Sequence, residues 1–335
     1  MQFFIDVYKK TLKDSNFKEK HSIKWDRELD KYNARRIVKK FEATKIIQAL
    51  YRPFVKQYFY FDKHFNGMTY QWFEIYNSKH KNKYIAINSP GNNKDFHSLI
   101  SNSVTDLHLT GDSQCLPMYV YDDESNPVEN ITDWALDKFR KHYSIASVKV
   151  KPKKGKPDFE GRIITKQDIF HYVYAVLHNP TYLAMYGQNL KRDFPKIPFY
   201  SNFFKWVDSG EALVNLHLNF ETVSPFKLKE VVTKGITNPK LRLKADKEDN
   251  LIIIDESITL SGIPPEAWEY KLGNKSALEI ILDQFKESKI SDPTIADKFD
   301  TYRFADYKKH AIDLLKRVCT VSIETVTITK AMLNE

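Results

Sequence analysis

Cysteine is scarce in this sequence, with only Cys115 and Cys319 among 335 residues. Two cysteines so far apart supply neither a disulfide framework nor the paired thiolates of a zinc motif. We therefore expect a protein of the reducing cytoplasm. Long apolar runs are also missing, and the alternation of apolar and charged residues from Met1 to Lys20 argues against a signal peptide or a spanning helix. The sequence thus predicts no membrane partner.

Signatures of catalysis are missing as well. The ten glycines form no G-x-x-x-x-G-K-[ST] phosphate loop, and no His-Glu-x-x-His helix or Gly-x-Ser-x-Gly elbow occurs. The chain also lacks the Asn/Asp-Pro-Pro-aromatic tetrapeptide of amino-methylating DNA methyltransferases and a glycine-rich S-adenosylmethionine loop. The scattered histidines, such as His108 and His217, are interpreted as hydrogen-bonded core or turn residues. We therefore expect no cofactor and no catalytic centre in this chain.

The residues that are abundant are aromatic, aliphatic and basic. Hydrophobic residues make up 42% and aromatic residues 14% of the chain, which excludes a disordered protein. The length suffices for two domains or one large one. The net charge is +9 and the sequence pI is about 9.1. A surplus of this size favours nucleic acid or another polyanion as the partner.

Hydrophobic periodicity predicts a mixed α+β fold. Residues 1–50 are expected to be largely helical, because "RRIVKKFEATKIIQAL" has helical spacing. Short runs such as "KQYFYF", "TYQWFEIY", "KYIAIN" and "LPMYVY" predict strands. Helices follow in "ITDWALDKFRKHY" and in the middle of the chain, with breaks at Pro180 and near Gly210. Four strand-like runs between 227 and 262 and two further helices complete the pattern.

The predicted organisation is a mixed β-sheet N-terminal part, then a helical middle, then a β/α C-terminal part. We divide the chain into a helical lead-in at 1–50, a β-rich part at 51–162 and a helical and β/α part at 163–335. The second part ends in a basic loop at 144–162, which includes "KVKPKKGKPDFEGR". Two hypotheses remain for this loop: a solvated linker, or a flexible segment that becomes ordered on phosphates.

Basic clusters interleaved with aromatic residues are the main functional signal. Ten Lys and Arg stand against two acids between Lys138 and Lys166. Several cations that neutralise phosphates can supply most of the affinity for duplex DNA without reading bases. The residues predicted to contact DNA are Lys149, Lys151, Lys153, Lys154, Lys156, Arg162, Lys79, Lys81, Lys83, Lys240, Arg242, Lys244 and Arg52. Lys227, Lys229 and Lys234 extend the cluster beside the predicted strands.

One constellation points instead to an enzyme. Asp255 ends the apolar run "LIIID", and Glu269 with Lys271 forms a Glu-x-Lys motif. In restriction-type nucleases two carboxylates hold Mg²⁺ and a lysine supports the attacking hydroxide. Such spacing arises easily in a chain that is 28% charged. A magnesium-dependent nuclease is therefore one alternative hypothesis, and a protein-interaction module that docks an acidic partner is another.

Five ordered stretches resemble the C-terminal target recognition domain of Type ISP restriction-modification enzymes. They are "YRPFVKQYFYFDKHFN" (51–66), "ITKQDIFHYVYAVLHNPTYLAMYGQNLKRDFPKIPF" (164–199), "LVNLHLNFE" (213–221), "ITLSGIPPEAWEYKLGNKSALEIILDQF" (258–285) and "DLLKRVCTVSIETVTI" (313–328). The resemblance runs from about Trp25 to the C-terminus.

The resemblance implies sequence-specific binding of double-stranded DNA, with an adenine presented to a methyltransferase that this chain lacks. It implies methyltransferase, helicase and nuclease regions as partners, in the same or a companion polypeptide. S-adenosylmethionine, ATP and Mg²⁺ are expected in that parent enzyme and not in this chain. No base-contacting residue is carried over by the shared blocks.

The segments outside the shared blocks, at 67–128, 144–162 and 224–250, are where base-contacting residues are expected. The aromatic residues inside the blocks are interpreted as core packing. Arg52 and Asp62, which flank the first block, are expected either to pair with each other or to leave Arg52 for a phosphate.

Overall fold

The computed structural model describes residues 1–20, 23, 25–67, 69–76, 81–143, 162–288, 296 and 302–333. Helices account for 41% and strands for 19% of the structure, and the strands form several small sheets. This composition confirms the predicted α+β class. No helix within these ranges is long and apolar enough to cross a membrane.

The N-terminal segment folds into helices and then, earlier than predicted, into a strand. The helices are α1 (Gln2–Lys13), α2 (Phe17–Lys20) and α3 (Arg27–Ala34). The predicted helix over "RRIVKKFEATKIIQAL" is wrong, because β1 (Ile46–Arg52) pairs antiparallel with β2 (Val55–Tyr60). β-branched residues suit a strand, and a hairpin partner only a few residues away supplies the cross-strand contacts that outweigh helical spacing.

The β-rich part contains small antiparallel sheets. Strands β3 (Tyr84–Asn88), β4 (Ser98–Ser101) and β5 (Ser113–Pro117) form one sheet with β3 in the centre. Strands β6 (Tyr119–Tyr121) and β7 (Pro127–Glu129) form a second sheet. The strand predicted at "TYQWFEIY" is wrong, since its centre is the short helix α4 (Trp72–Ile75).

The helical middle follows the sequence signals closely. Its helices are α5 (Asp133–His142), α6 (Lys166–Val176), α7 (Pro180–Leu190) and α8 (Phe203–Leu218). Thr132 caps α5, and Asn179 caps α7 at the predicted Pro180 break. The break expected near Gly210 is wrong, because α8 is continuous through it. Gly210 instead lets the backbone of α6 approach, and an added Cβ would lie 1.9 Å from the His171 carbonyl oxygen.

The C-terminal part is a sheet packed on helices, as predicted. Its strands are β8 (Lys229–Val232), β9 (Leu241–Asp246), β10 (Leu251–Asp255) and β11 (Ile258–Ser261), in the spatial order β8-β11-β10-β9. A small hairpin of β12 (Lys271–Leu272) and β13 (Lys275–Ser276) leads into α9 (Ala277–Gln284), and α10 (Phe304–Ala331) ends the fold.

Two large hydrophobic cores hold these parts together. In the first, Phe54 and Ala86 from the β-rich part pack with residues of the C-terminal sheet, α9 and α10. In the second, Ile85 and Ile87 pack against α6 and α8. Alternate residues of the single strand β3 therefore feed both cores, which is the period-two pattern of a strand buried on both faces. The three-part division of the chain stays a prediction.

A buried chain of hydrogen bonds passes through His217 between the two cores. The Thr325 hydroxyl donates to the Val321 carbonyl at 2.7 Å, so Nε2–H of His217 donates to Thr325 Oγ1 at 2.8 Å. His217 Nδ1 then accepts from the Tyr174 hydroxyl at 2.7 Å, and that hydroxyl accepts from the Ile100 amide at 3.0 Å. The chain ties β4, α6, α8 and α10 together, and it confirms His217 as a core histidine.

The packing at Gly210 gives a first test of the fold. Gly210→Ala is expected to destabilise the protein by about 3 kcal/mol or more, because the new methyl group overlaps the backbone of α6. Gly187 in α7 is the matched control, since nothing lies within 4 Å of an added Cβ there. Gly187→Ala should stabilise by about 0.4–1 kcal/mol. Urea unfolding of both variants measures the difference, and equal effects would contradict this packing.

Buried histidines give the stability a pH dependence. Burial lowers the pKa of His97 and of His178 to about 4 and that of His217 well below its usual range. The unfolded chain, with a histidine pKa near 6.5, therefore takes up protons first as the pH falls. Their stabilising contribution is complete above about pH 6.5 and is lost toward pH 4.

Unfolding free energy should therefore fall by up to about 1.4 kcal/mol per pH unit for each of the three histidines within this window. Urea titrations between about pH 7 and 5 measure the slope. His178→Gln removes one of these groups and should reduce the slope by up to about 1.4 kcal/mol per pH unit. A stability that is flat over this range would show that these imidazoles are not held neutral.

Candidate nucleic-acid interface

The sheet of β8 to β11 turns one face to the core and the other, here called the outer face, away from it. Leu243, Ile252 and Leu260 on the inner face are buried. Paired residues of antiparallel strands project to the same side, so the register defines the outer face. Two cross-strand rows cover it: Lys244, Ile253, Thr259 and Val231 form one, and Asp246, Leu251, Ser261 and Lys229 form the other.

The basic cluster predicted at 227–244 lies on this sheet, immediately before its first strand and on the loop that joins two of its strands. The exposed cations are Lys227, Lys229, Lys234, Lys240, Arg242 and Lys244. None of the five lysines forms an ion pair with another residue in the described part of the chain. Arg242 does, since its guanidinium donates to Glu256 at 2.7 Å. The lysines therefore keep their charge available for phosphates.

The loop at 233–240, here called the crossing loop, connects β8 and β9 at opposite edges of the sheet. Its two ends are fixed to the turn between β10 and β11. The Thr233 amide donates to the Ser257 carbonyl at 2.8 Å, and the Glu256 amide donates to the Lys240 carbonyl at 3.1 Å. The Lys240 amide in turn donates to the Glu256 carboxylate at 3.1 Å. Every residue from 233 to 238 is exposed.

Asp255 anchors the turn that holds the crossing loop. Its carboxylate is buried and accepts from the Ser257 amide, the Ser257 hydroxyl and the Ile258 amide at 2.7–2.9 Å. Lys308 of α10 forms an ion pair with the same carboxylate. Burial by itself would raise the pKa of Asp255, but the hydrogen bonds from Lys308 and Ser257 outweigh it and hold the pKa below its usual value.

The hypothesis of a nuclease site built from Asp255, Glu269 and Lys271 is wrong. Asp255 is paired with Lys308 and Glu269 with Lys330. These lysines lie near opposite ends of α10, about 33 Å apart at a rise of about 1.5 Å per residue. Ligands of one Mg²⁺ lie about 2.1 Å from it, so the two carboxylates cannot share an ion. No group of three or more His, Cys, Asp or Glu within the described ranges is placed to hold a metal.

The other predicted DNA contacts lie in different surroundings. Lys81 and Lys83 precede β3, far along the chain from the outer face, and pair with no acid among the described residues. Arg52 stacks over Tyr51 at 3.9 Å and pairs with Asp106 at 2.6 Å. Asp62 pairs with Lys45 at 2.7 Å, so of the two alternatives given for Arg52 the pair with Asp62 is wrong.

Arg162 lies over the Phe204 ring at 4.3 Å and pairs with Asp208 at 2.8 Å. The remaining predicted contacts, Lys79, Lys149, Lys151, Lys153, Lys154 and Lys156, lie outside the described residues. Their role in DNA binding stays a prediction, as does the role of the whole basic loop.

Two features of the interface were missed by reasoning from the sequence. One is the anchoring role of Asp255, although Asp255 with Ser257 two residues later is a local signal for a side-chain-capped turn. The other is the crossing loop, which depends on the order of strands in the sheet. The local pattern of residues does not reveal that order.

The model of the Type ISP C-terminal specificity domain matches residues 1–314 of this chain. The chain belongs to this family. The resemblance inferred from the sequence blocks is thereby confirmed. No protein with curated annotation is similar enough to count as a relative.

Solved structures resemble this specificity domain over its whole length. The DrdV–DNA complex, determined by cryoEM, is 38% identical with a TM-score of 0.88, and the match covers 100% of this chain and 33% of that chain. The ATP-dependent Type ISP restriction-modification enzyme LlaBIII, bound to DNA, is 26% identical with a TM-score of 0.76, and the match covers 98% and 21%.

A nuclease-deletion mutant of the Type ISP restriction-modification enzyme LlaGI, in complex with a DNA substrate mimic, is also 26% identical. Its TM-score is 0.74, and the match covers 98% of this chain and 25% of that chain. This specificity domain therefore spans between a fifth and a third of the length of these three structures.

The contribution of Asp255 to stability can be compared with that of Glu269, a second carboxylate that is paired with a lysine. Asp255→Asn should destabilise the domain by about 2 kcal/mol, because it weakens charge-assisted hydrogen bonds at a buried site. Glu269→Ala breaks an ion pair whose partners are 48% and 54% exposed, so its cost should stay below about 1 kcal/mol. Urea unfolding measures both. Similar costs for the two variants would contradict a structural anchor at Asp255.

Proposed function

We propose that this specificity domain binds double-stranded DNA in a sequence-specific manner and thereby positions an adenine for a methyltransferase supplied by another region of the same enzyme or by a companion chain. The observation that carries the proposal is the set of lysines on the outer face and the crossing loop that form no ion pair with any described residue. They belong to a fold whose solved relatives are complexes with DNA.

The geometry supports phosphate contact at one end of the sheet. Lys234 and Lys240 belong to the crossing loop, and Lys244 lies on the strand that follows it. The opposite end of β9 and β10 carries Asp246, Glu248 and Asp249. Lys247 in the same turn is paired with Glu279. Acidic groups repel a phosphate backbone, so a duplex on this surface would lie toward the crossing loop.

Under this proposal the domain performs no chemistry itself. Base flipping and methyl transfer would take place in the methyltransferase region, where S-adenosylmethionine binds, while ATP and Mg²⁺ would serve the helicase and nuclease regions. Lys81, Lys83 and the basic loop would add phosphate contacts beyond the outer face. Arg52 and Arg162 are paired with acids of the domain and would contribute less. Reading DNA also fits the cytoplasmic location predicted from the scarcity of cysteine.

The salt dependence of DNA binding tests the proposal. The purified chain should bind short duplexes, and its affinity should fall steeply between about 50 and 200 mM salt as counterions return to the phosphates. Lys234→Ala, Lys240→Ala and Lys244→Ala together should weaken binding to all duplexes alike. They should also reduce the slope of log K against log salt by roughly 0.9 for each lysine that contacts a phosphate.

The control is a triple alanine variant of Lys31, Lys275 and Lys286, which are exposed but paired: Lys31 with Glu28, and the other two lysines with Asp283. It removes the same formal charge and should leave the slope nearly unchanged. Equal losses in the two variants would mean that net charge alone binds DNA. No duplex affinity at any salt concentration would favour a protein-interaction module.

A further inference from the structure

The crossing loop has more length than its path requires. It joins β8 to β9, which are the two edges of a four-stranded sheet. Three strand spacings of about 4.8 Å separate these edges by about 14 Å. The chain from Val232 to Leu241, fully extended, would reach about 30 Å. The surplus lets the middle of the loop stand away from the end of the sheet.

The ends of the loop are nevertheless fixed. Thr233 and Lys240 are hydrogen-bonded to the turn at 256–257, and this turn is anchored by Asp255 and Lys308. Sites mounted on rigid supports keep their geometry better than sites on free loops. The middle of the crossing loop is therefore a protruding segment on a rigid base.

Two polar side chains at the middle of the loop have no hydrogen-bond partner among the residues that the structure describes. Thr237 and Asn238 are exposed, and neither side chain forms a hydrogen bond with any other described residue. The amide of an asparagine matches the N6 and N7 positions of adenine in the major groove, and a threonine offers a hydroxyl and a methyl group. Both side chains are thus free for contacts with base edges.

Cations flank these two side chains on both sides. Lys234 precedes them and Lys240 follows them within the crossing loop. The major groove of B-DNA is about 12 Å wide, close to the separation of about 14 Å between the two strands that the loop joins. Lysines near the two ends of the loop can therefore meet phosphates on the two sides of a groove while the middle of the loop enters it.

We propose that the crossing loop inserts into the major groove and that Thr237 and Asn238 contact base edges there, with adenine as the base matched by Asn238. This assignment rests on the proposed function. Under this proposal the lysines bind the phosphate backbone of DNA whatever its sequence, and the centre of the loop distinguishes one base from another.

The test is selection of binding sites from a randomised duplex library by the full chain, followed by the same selection with Thr237→Ala and Asn238→Ala. The unaltered chain should select a defined sequence. Asn238→Ala should relax the preference at one position by about 10-fold and leave the affinity for non-selected duplexes and the salt slope unchanged. Asn215→Ala, on an exposed position of α8, is the matched control and should keep every preference.

A third loop variant replaces residues 234–239 by glycine and serine at equal length. It should lower the affinity for the selected sequence toward the level of non-selected duplexes. If the chain selects a sequence and all three loop variants keep the same preferences, the assignment of the crossing loop is wrong and DNA recognition stands. If the unaltered chain shows no salt-sensitive duplex affinity, the proposed function itself fails.

Discussion

The hydrogen-bond chain through His217 is the constraint on which the arrangement of this molecule depends. It joins β4, α6, α8 and α10 at the junction of two hydrophobic cores, with the Tyr270 ring stacked on the imidazole at 5.4 Å. Each buried polar atom of this hydrogen-bond chain keeps its hydrogen-bond partner only while all four elements keep their positions. An unmatched buried group costs about 1–3 kcal/mol, so the chain fixes how the helical middle sits against α10. Hydrophobic contact, which is non-directional, would not fix this by itself.

The long helix α10 connects this hydrogen-bond chain to the candidate interface. Thr325 takes part in the central hydrogen-bond chain, and Lys308, near the other end of the same helix, forms the ion pair with Asp255. Asp255 in turn holds the turn to which both ends of the crossing loop are bonded. The position of an exposed loop is therefore set through one rigid helix by interactions in the interior. This explains why the carboxylate that looked catalytic in the sequence is structural, since its hydrogen-bonding capacity is used to hold the turn.

The fold pairs three of the predicted DNA-contacting arginines with acids and leaves the lysines of one surface without ion pairs among the described residues. Arg52, Arg162 and Arg242 pair with Asp106, Asp208 and Glu256, all brought near by the fold from other parts of the chain. The lysines of the outer face and the crossing loop have no such partners within the described residues. A planar guanidinium suits fixed bidentate or stacked contacts, whereas a flexible ammonium suits a phosphate backbone of variable position. The net charge of +9 favours a polyanionic partner, and the pairing pattern favours one surface for it.

The sequence by itself determined the α+β class, the four strands of the C-terminal sheet, the break at Pro180 and the family, because these depend on periodicity, on the backbone chemistry of proline and on blocks of neighbouring residues. Only the tertiary structure decided that Ile46–Arg52 is a strand, that α8 runs unbroken past Gly210 and that Asp255 is an anchor. It also decided that residues 233–240 cross the end of a sheet, because the spatial order β8-β11-β10-β9 separates strands that are consecutive in the chain. The partners in these features come from distant parts of the chain, so local patterns could not reveal them.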